Sequence, residues 1–506
     1  MTWRARIAEL RAEAQAALPD MVRARGIPPL DRFAGAGFKL VTALGLWAAL
    51  ESRREPPQRR AALSRRLRKA FEQLGPAYIK LGQIVSSGRG LFPDEVVDEF
   101  ATLRDRVPPE PFSAVRAVVE VDLGKKLEEV FERFDEESLA AASIAQVHAA
   151  KLRTGEEVVV KVQRPQVAKL VRSDLRAMAW IAPFLTGRIP VAALANPPAL
   201  VELFAETISE ELDFRLEAEN MLDIARLLQD AGQTKLVVPR PHPELVTRRV
   251  LVMERLTGYT ISQADQMRAA GIDTEAVLRA LLISFLEGAM IYGVFHGDLH
   301  AGNLFVLPDG RVALLDFGMT GRMTPKQRQA FMRLMVTGVT NDIPGHLAAF
   351  RDLGALPDDA DLEELSRDLK LDRPPVDPTQ LTGQELVSEI QEVLKHLLAH
   401  GAKLPKHLML YVKNLIFVDG AIGDLAPDVD LFAEVGRIFA YFSATHGERI
   451  AAEIGGGAAQ FATLDLTGFK ASLGLSGEVE TLTHRELVKR REIVRKRLED
   501  VGGPRL

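Results

Sequence analysis

The residues best suited to chemistry lie between positions 293 and 318, in the segment GVFHGDLHAGNLFVLPDGRVALLDFG. Asp298 stands five residues before Asn303, and Asp316 opens the tripeptide Asp-Phe-Gly. In phosphoryl transfer, one aspartate orients the attacking hydroxyl or water, while an asparagine and a second aspartate hold the metal that bridges the phosphates. The pattern therefore predicts Asp298 as the catalytic residue, with Asn303 and Asp316 as Mg²⁺ ligands.

A β-hairpin must position these residues. The apolar runs 304–306 and 312–315 flank a Pro-Asp-Gly turn, which predicts strand, turn and strand. Single residues indicate less, because Asp and Asn in loops are usually turn formers or helix caps. We expect His296 and His300 to be packed or hydrogen-bonded histidines rather than a metal-binding pair. The prediction of an active site therefore depends on the combined spacing of Asp298, Asn303 and Asp316.

A second group of residues predicts a small antiparallel sheet ahead of this segment. Strands are expected at 130–134, 144–149 and 158–162, the last of which carries Lys161. A lysine on a rigid strand can hold phosphates near a metal. The first two strands are joined by small residues where glycines usually surround phosphates, and alanine lacks glycine's backbone freedom. The predicted nucleotide-contacting loop comprises Ala140, Ala141, Ala142, Ser143 and Ile144.

A long acidic helix is predicted over 202–228, and a buried strand over 249–256. A phosphate-binding lysine needs a helix carboxylate to fix its position, and Glu217 is the predicted partner of Lys161. Asp213 would lie one helical turn before Glu217 on the same face, with Glu211 close by. The alternative is a solvated acidic face. The strand after the helix would offer its backbone to an adenine ring, through Met253, Glu254 and Leu256.

Two further segments carry charge at helical spacing. The helix beginning near Pro76 would present Lys80 and Gln83 on one side. Residues 1–63 form helices with basic clusters, and 487–498 form a basic helix. Such faces suit either an anionic membrane surface or simple solvation, and both interpretations stay open.

Composition narrows the class of protein. The chain has 506 residues, enough for two or more subdomains, and a formal charge of −5, which gives no reason to expect nucleic acid as a partner. It contains no cysteine, which excludes disulfides and thiolate zinc sites. No signal peptide is apparent. The apolar run 40–50 is too short to span a membrane, and 276–294 carries Arg279 and Glu287, so a cytoplasmic protein is expected.

Together these features resemble the UbiB/AarF family of atypical kinases, also called aarF-domain kinases. The resemblance spans roughly residues 71–432. The motifs that carry it are KLGQ (80–83), AAASIAQVH (140–148), VVVKVQRP (158–165), ELD (211–213), HGDLHAGN (296–303), DFG (316–318) and LAPDVDL (425–431).

The resemblance implies an α+β, bilobal protein kinase-like fold, with a small antiparallel-sheet N-lobe, a helical C-lobe and an added N-terminal helical extension. The expected boundaries are a helical segment at 1–63, a family-specific extension at 64–126, the N-lobe at 127–256, the C-lobe at 257–450, and a loose glycine-rich segment with a basic helix at 451–506. In such a fold Lys161 and Glu217 would form an ion pair. Lys80 and Gln83 would belong to a regulatory extension that covers the cleft where a protein substrate would bind. This extension would pair with Glu211 and Asp213.

The resemblance also implies a function. Members bind ATP or ADP with Mg²⁺ and hydrolyse ATP in support of isoprenoid quinone biosynthesis or membrane lipid handling. Expected partners are the nucleotide, a membrane surface or isoprenoid lipid, and quinone-biosynthesis enzymes, with peripheral attachment at the cytoplasmic face. The alternatives are a small-molecule or protein kinase, the former suggested by glycine after His296 where family members usually have alanine, and a nucleotide-gated lipid-binding protein without phosphotransfer. Many bacterial members end in a hydrophobic hairpin, which the C-terminal sequence here does not contain.

Overall fold

The computed structural model describes residues 3–22, 29–86, 94–103, 108–185, 197–340, 342–371, 377–403, 405–454 and 477–500, with single positions between 466 and 475. The chain divides into two compact units. Unit 1 comprises Met1–Asp223, Pro239–Leu256 and Asp316–Met319, and unit 2 comprises Ile224–Val238, Thr257–Leu315 and Thr320–Leu506.

The helices and strands follow one another in a mixed order along the chain. The helices are α1 (Ile7–Val22), α2 (Leu30–Leu50), α3 (Pro56–Leu74), α4 (Pro76–Ser86), α5 (Asp94–Ala101), α6 (Phe112–Leu123), α7 (Leu127–Val130), α8 (Val167–Leu185), α9 (Pro197–Glu211), α10 (Phe214–Asp230), α11 (Ala264–Ala269), α12 (Thr274–Glu287), α13 (Pro325–Thr340), α14 (Ile343–Asp352), α15 (Leu362–Asp368), α16 (Gly383–Ala399), α17 (Lys406–Leu425), α18 (Leu431–Ile454) and α19 (His484–Asp500). The strands are β1 (Phe131–Ala141), β2 (Ala145–Leu152), β3 (Glu157–Gln163), β4 (Leu236–Val237), β5 (Pro241–Val246), β6 (Val250–Glu254), β7 (Tyr259–Thr260), β8 (Val294–His296), β9 (Leu304–Val306), β10 (Val312–Leu314) and β11 (Thr320–Arg322).

Unit 1 contains a five-stranded antiparallel sheet in the order β1-β2-β3-β6-β5. Val158, Val160 and Val162 of β3 are fully buried on one face, in a cluster that includes valines of α6. Because successive strand residues alternate between faces, Lys161 projects from the opposite face. The predicted strand over 158–162 is thus confirmed, and its alternation explains how a lysine is presented beside an all-valine core.

The start of this sheet differs from prediction. Residues 127–130 form the short helix α7, and β1 runs from Phe131 to Ala141, so the first two alanines of the predicted loop belong to a strand. The Ala142 amide donates to the Ala145 carbonyl at 2.8 Å, which closes a tight turn between β1 and β2. The small residues therefore extend the hairpin and do not form an open loop.

The helices α3 and α4 meet at a glycine and a proline. Gly75 ends α3 with φ of +104°, a conformation that favours glycine, and Pro76 begins α4, where its missing amide costs no helical hydrogen bond. Within α4, a Cβ on Gly82 would lie 2.2 Å from a methyl carbon of Leu103. The glycine of the KLGQ motif therefore permits close helix packing.

The long acidic helix predicted over 202–228 is two helices. α9 ends at Glu211 and α10 begins at Phe214. Asp213 lies between them and accepts hydrogen bonds from the Arg215 amide at 3.1 Å and from its guanidinium at 2.6 and 2.9 Å. An aspartate that binds nearby backbone competes with helix continuation, which explains the break. The expectation that Asp213 shares a helical face with Glu217 is therefore wrong.

Unit 2 is mainly helical, with a sheet in the order β4-β10-β9-β7 and a β8–β11 pair. The predicted hairpin is confirmed, because β9 and β10 are antiparallel and Gly310 in the turn has φ of +82°. Aromatic rings of Phe285, Phe295, Phe331 and Tyr411 pack together in the core of this unit. This cluster joins α12, β8, α13 and α17.

The apolar segment near the N-terminus is longer than predicted. α2 contains a 19-residue stretch, Arg32–Leu50, that is long and apolar enough to cross a membrane, and only 11% of it is buried. Phe38, Val41 and Leu50 are among its exposed side chains. Near the other end, the predicted basic helix is confirmed as α19, whereas the glycine-rich stretch 455–477 lies almost entirely outside the described residues.

Candidate active site

In unit 1, Lys161 lies between two carboxylates. Its Nζ is 2.7 Å from Glu217 Oε1 and 3.0 Å from Asp316 Oδ2. The Lys161 and Glu217 side chains are 12% and 2% exposed, whereas that of Asp316 is 45% exposed. The ring centroid of Phe214, at the start of α10, lies 5.3 Å from the ammonium. Lys161 and Glu217 thus form a buried ion pair, and Asp316 is left accessible on its outer side.

The protonation of this cluster follows from burial and from its charges. Burial alone would lower the pKa of the Lys161 ammonium, but the carboxylates of Asp316 and Glu217 outweigh it and raise that pKa. Burial raises the pKa of Glu217 to about 7, against the opposing effect of Lys161. Lys161 is therefore a fixed positive charge at any physiological pH.

Asp316 is held in an unusual backbone conformation. Asp316 has φ of +52°, a left-handed region that costs a non-glycine residue about 1–3 kcal/mol. Its Oδ1 accepts from the Gly318 amide at 3.1 Å, and Asn220 Nδ2 donates to the Phe317 carbonyl at 3.0 Å. A Cβ on Gly318 would lie 3.2 Å from Asp316 Oδ1 and 3.3 Å from Glu211 Cγ. The Asp-Phe-Gly segment is therefore held by hydrogen bonds, and a Cβ at Gly318 would be tightly packed.

The predicted regulatory residues are only partly brought together. Lys80 Nζ on α4 lies 2.9 Å from Glu211 Oε1 at the end of α9, and both side chains are 12% exposed. Gln83 is one helical turn beyond Lys80 on α4. Asp213 is bonded to Arg215 instead of to Lys80. Glu211 also lies beside Gly318, so the ion pair between Lys80 and Glu211 lies next to the Asp-Phe-Gly segment.

The predicted nucleotide-contacting loop is tied to the sheet. Arg164, just after β3, donates from Nε to the Ala142 carbonyl at 2.8 Å and from its amide to the Ile144 carbonyl at 2.9 Å. Ser143 and Ile144 are buried. The Ala142 amide is already engaged by Ala145, so this turn offers phosphate fewer backbone donors than an open glycine loop.

The predicted adenine-contacting residues lie at the end of β6. Met253 pairs with β3 and β5, and the Glu254 amide donates to the Arg240 carbonyl at 2.9 Å. Leu256 follows the strand as the last residue of its unit 1 segment. The backbone of the first two residues is thus largely engaged within the sheet.

In unit 2, Asp298 and Asn303 lie together. Asn303 Nδ2 donates to the Asp298 carbonyl at 3.0 Å. His296 accepts from the Asp298 amide at Nδ1, 3.1 Å away, and its Nε2 lies 3.0 Å from the Leu315 carbonyl. The other histidine, His300, accepts from the Gly302 amide at 3.1 Å. His296 therefore links the loop of Asp298 to the end of the hairpin.

Two residues of this site were missed by sequence reasoning. Lys413 Nζ donates to Asp298 Oδ1, and the fully buried Asn414 accepts from the Leu299 amide at 3.0 Å and donates to the His296 carbonyl. Both lie on α17, more than a hundred residues after the loop they bind. The available signal was a Lys-Asn pair inside an otherwise apolar helical block, LMLYVKNLIFV. A polar pair in such a block needs buried partners.

The two predicted metal ligands carry oxygen donors, which hard cations prefer. Among the described residues, no group of three or more His, Cys, Asp or Glu side chains could hold a metal ion. Mg²⁺ is commonly bound by one or two side-chain oxygens together with substrate phosphates and waters. The carboxylate of Asp316 and the amide oxygen of Asn303 are oxygen donors of that kind.

Comparison with known proteins shows the relatives of this chain. Residues 102–347 match the ABC1 atypical kinase-like domain. Over 388 residues, which cover 74% of this chain and 72% of the relative, it is 32% identical to the probable protein kinase UbiB of Pseudomonas aeruginosa. The chain belongs to the ABC1 atypical kinase-like family. The predicted family and the α+β kinase-like fold class are thus confirmed.

This chain is also similar to other proteins. An uncharacterized protein of Mycobacterium tuberculosis is 35% identical over 420 residues, 81% of this chain and 84% of that protein. A chloroplastic aarF domain-containing protein kinase of Arabidopsis thaliana is 32% identical over 393 residues, 73% of each chain. A solved Mycobacterium tuberculosis structure in complex with erythromycin aligns at a TM-score of 0.40 and 24% identity, over 68% of this chain and 91% of that one.

Proposed function

We propose that this ABC1-family protein binds ATP or ADP with Mg²⁺ and hydrolyses ATP in support of isoprenoid quinone or membrane lipid metabolism. The observation that carries the proposal is the position of Lys161 between buried Glu217 and exposed Asp316. A lysine charge fixed in this way, next to an accessible carboxylate, is what metal-assisted phosphoryl transfer requires.

Each residue has a defined role in this proposal. Glu217 orients Lys161, whose ammonium binds phosphate oxygens. Asp316 and Asn303 would hold Mg²⁺, which when bound neutralises charge on the phosphates. Asp298 orients the attacking water or hydroxyl and takes up its proton. Lys413 donates a hydrogen bond to Asp298 Oδ1, which holds the carboxylate in place.

Replacing the acidic residues one at a time tests the proposal. Phosphate release from ATP should be lost in Asp316→Asn and in Asp298→Asn, and should stop in wild type when EDTA is added. Asp309→Asn is the matched control, because Asp309 lies in the hairpin turn and pairs with Arg311 on the surface. Unchanged turnover in both site variants, or equal loss in the control, would refute the assignment.

The exposed apolar face of α2 supports a membrane surface as partner, at the cytoplasmic face of a membrane. ATP labelled at the γ-phosphate, supplied with anionic vesicles and prenylated phenols, distinguishes the outcomes. Release of labelled phosphate alone supports hydrolysis, and label on a lipid, metabolite or protein supports a kinase. Nucleotide-dependent vesicle binding that persists in Asp298→Asn, without any turnover in wild type, would instead identify a nucleotide-gated lipid-binding protein.

A further inference from the structure

A strongly basic cleft of about 460 Å³ lies in unit 1, and its lining includes none of the residues assigned to the nucleotide. Its walls come from the end of β3, the first turns of α8 and the turn between β5 and β6. Among the described residues, no acidic side chain lines it. Its cationic lining residues are Arg164, Lys169, Arg172, Arg176, Arg248 and Arg249.

Two of these cations have structural partners. Arg164 donates to the Ala142 carbonyl at 2.8 Å and pairs with Glu110 at 3.1 Å. Arg249 donates from Nε to Asp122 Oδ1 at 2.9 Å, and its amide donates to the same carboxylate at 3.2 Å. Their charges are therefore largely compensated by the protein.

The other four have no ion pair within the described part of the chain. Lys169, Arg172 and Arg176 are exposed and spaced three and four residues apart, so they share one face of α8. Like charges at this spacing cost roughly 0.2–0.5 kcal/mol per pair, and solvated faces usually mix the two signs. The fourth, Arg248, comes from a different element. The basic cleft therefore combines cations from α8 and from the turn between β5 and β6, which a solvated face of one helix does not explain.

The backbone that presents Arg248 is fixed from two sides. Its carbonyl accepts from the Phe214 amide at 3.0 Å and from Gln163 Nε2 at 3.2 Å. The neighbouring residue is held by Asp122, as described. Unpaired guanidinium groups on a rigid turn and a rigid helix lose little freedom when they bind a ligand.

We propose that this cleft binds a phosphate-bearing ligand. Guanidinium groups bind phosphate oxygens through paired hydrogen bonds, and the nearby N-terminus of α8 adds the positive end of a 19-residue helix. A cleft of this volume with four uncompensated cations suits more than one anionic oxygen cluster, such as a free polyphosphate or the headgroup of an acidic phospholipid. The site does not depend on the proposed nucleotide chemistry, because it uses none of its residues.

Two triple variants test this proposal. Arg172→Gln/Arg176→Gln/Arg248→Gln removes three of the uncompensated charges. Lys326→Gln/Arg367→Gln/Lys403→Gln removes the same charge from exposed positions of unit 2. All of these side chains are exposed, so both proteins should melt as wild type does. Full-length wild type and variants are titrated with tripolyphosphate by calorimetry at physiological salt, and with phosphatidylcholine vesicles that contain or lack phosphatidic acid.

The first variant should lose binding at the cleft. This loss is measured either as one fewer ligand bound per protein or as a rise in Kd of about tenfold or more, and the control variant should bind as wild type does. Loss of tripolyphosphate binding identifies a free phosphate compound as the ligand. Loss confined to phosphatidic acid vesicles identifies the lipid headgroup. Wild-type binding of both ligands by the first variant, equal losses in both variants, or no binding by wild type would overturn the proposal.

Discussion

Removal of the Lys161 ammonium tests the reasoning about the buried ion pair most directly. Lys161→Met keeps an unbranched side chain of similar length and deletes the charge. Glu217, 2% exposed, then loses the cation 2.7 Å from its carboxylate. An unpaired charge at such a position is unfavourable because neither water nor protein compensates it.

The size of the effect follows from the burial of the pair. Breaking a buried ion pair by removing one partner costs about 3–5 kcal/mol. Burial already raises the pKa of Glu217 to about 7, so without Lys161 the carboxyl group takes up a proton near neutral pH. Because the neutral group is less costly to bury, the loss of stability should stay near about 3 kcal/mol. At about 2–4 °C per kcal/mol for a unit of this size, Tm should fall by roughly 6–12 °C.

Differential scanning fluorimetry at pH 7 on wild type, Lys161→Met and Lys161→Met/Glu217→Gln measures this. The double variant should recover at least half of the lost Tm, because it leaves no buried charge at the Glu217 position. Lys151→Met is the matched control. Lys151 lies on the adjacent strand β2 and pairs with Glu132 at the surface, where such a pair contributes about 1 kcal/mol or less.

Two results would contradict this account. One is a Tm for Lys161→Met no lower than that of Lys151→Met. The other is a double variant less stable than Lys161→Met, which would mean that Glu217 stabilises unit 1 without its partner.

Three further predictions concern the loop of Asp298, the pH dependence of stability and close packing in unit 2. Asn414→Ala removes the acceptor of the Leu299 amide, which costs about 1–3 kcal/mol, and also removes the donor to the His296 carbonyl. Turnover should therefore fall at least tenfold, while nucleotide Kd, followed by fluorescence, stays unchanged. Turnover equal to that of wild type would refute the positioning role. The pKa of Glu217 is raised from 4.5 to about 7 in the folded state, so the folded protein binds one more proton than the unfolded protein between these pH values. Wild-type Tm should therefore decline more steeply from pH 5 to pH 8 than the Tm of Glu217→Gln. Parallel curves for the two proteins would refute the raised pKa. Gly321→Ala would place a Cβ 2.2 Å from a ring atom of Phe295, so it should destabilise unit 2 by about 1–3 kcal/mol in urea unfolding. Gly420→Ala is the control, because no atom lies within 4 Å of its Cβ, and it should not destabilise unit 2.

Much of the local structure was predictable because its cause is local. A lysine within a run of valines on a strand must project away from the valine face, which is why Lys161 could be placed before its partner was known. The hairpin between Asn303 and Asp316 follows from two apolar runs and a Pro-Asp-Gly turn. The helix of Lys80 follows from Pro76 and the apolar spacing after it.

The remaining features depend on contacts that no local pattern encodes. Lys413 and Asn414 bind the loop of Asp298 across more than a hundred residues. The break at Asp213 is set by a hydrogen bond to Arg215 that competes with the helix, although the acidic pattern itself runs on without interruption. Likewise, the alanine-rich segment has a composition that suits loop or strand, and the Ala142–Ala145 hydrogen bond decides for a tight turn.

The outward-facing side chains of α2 have a practical consequence for anyone who purifies this protein. Phe38, Val41 and Leu50 are each more than 60% exposed, so in plain buffer they are solvated by water, and detergent micelles or lipid would cover them. Purified samples should therefore behave differently in the two media, with concentration-dependent self-association in plain buffer and dispersed particles in mild detergent. Assays of turnover should specify which medium was used, because the medium decides whether α2 is covered during the measurement.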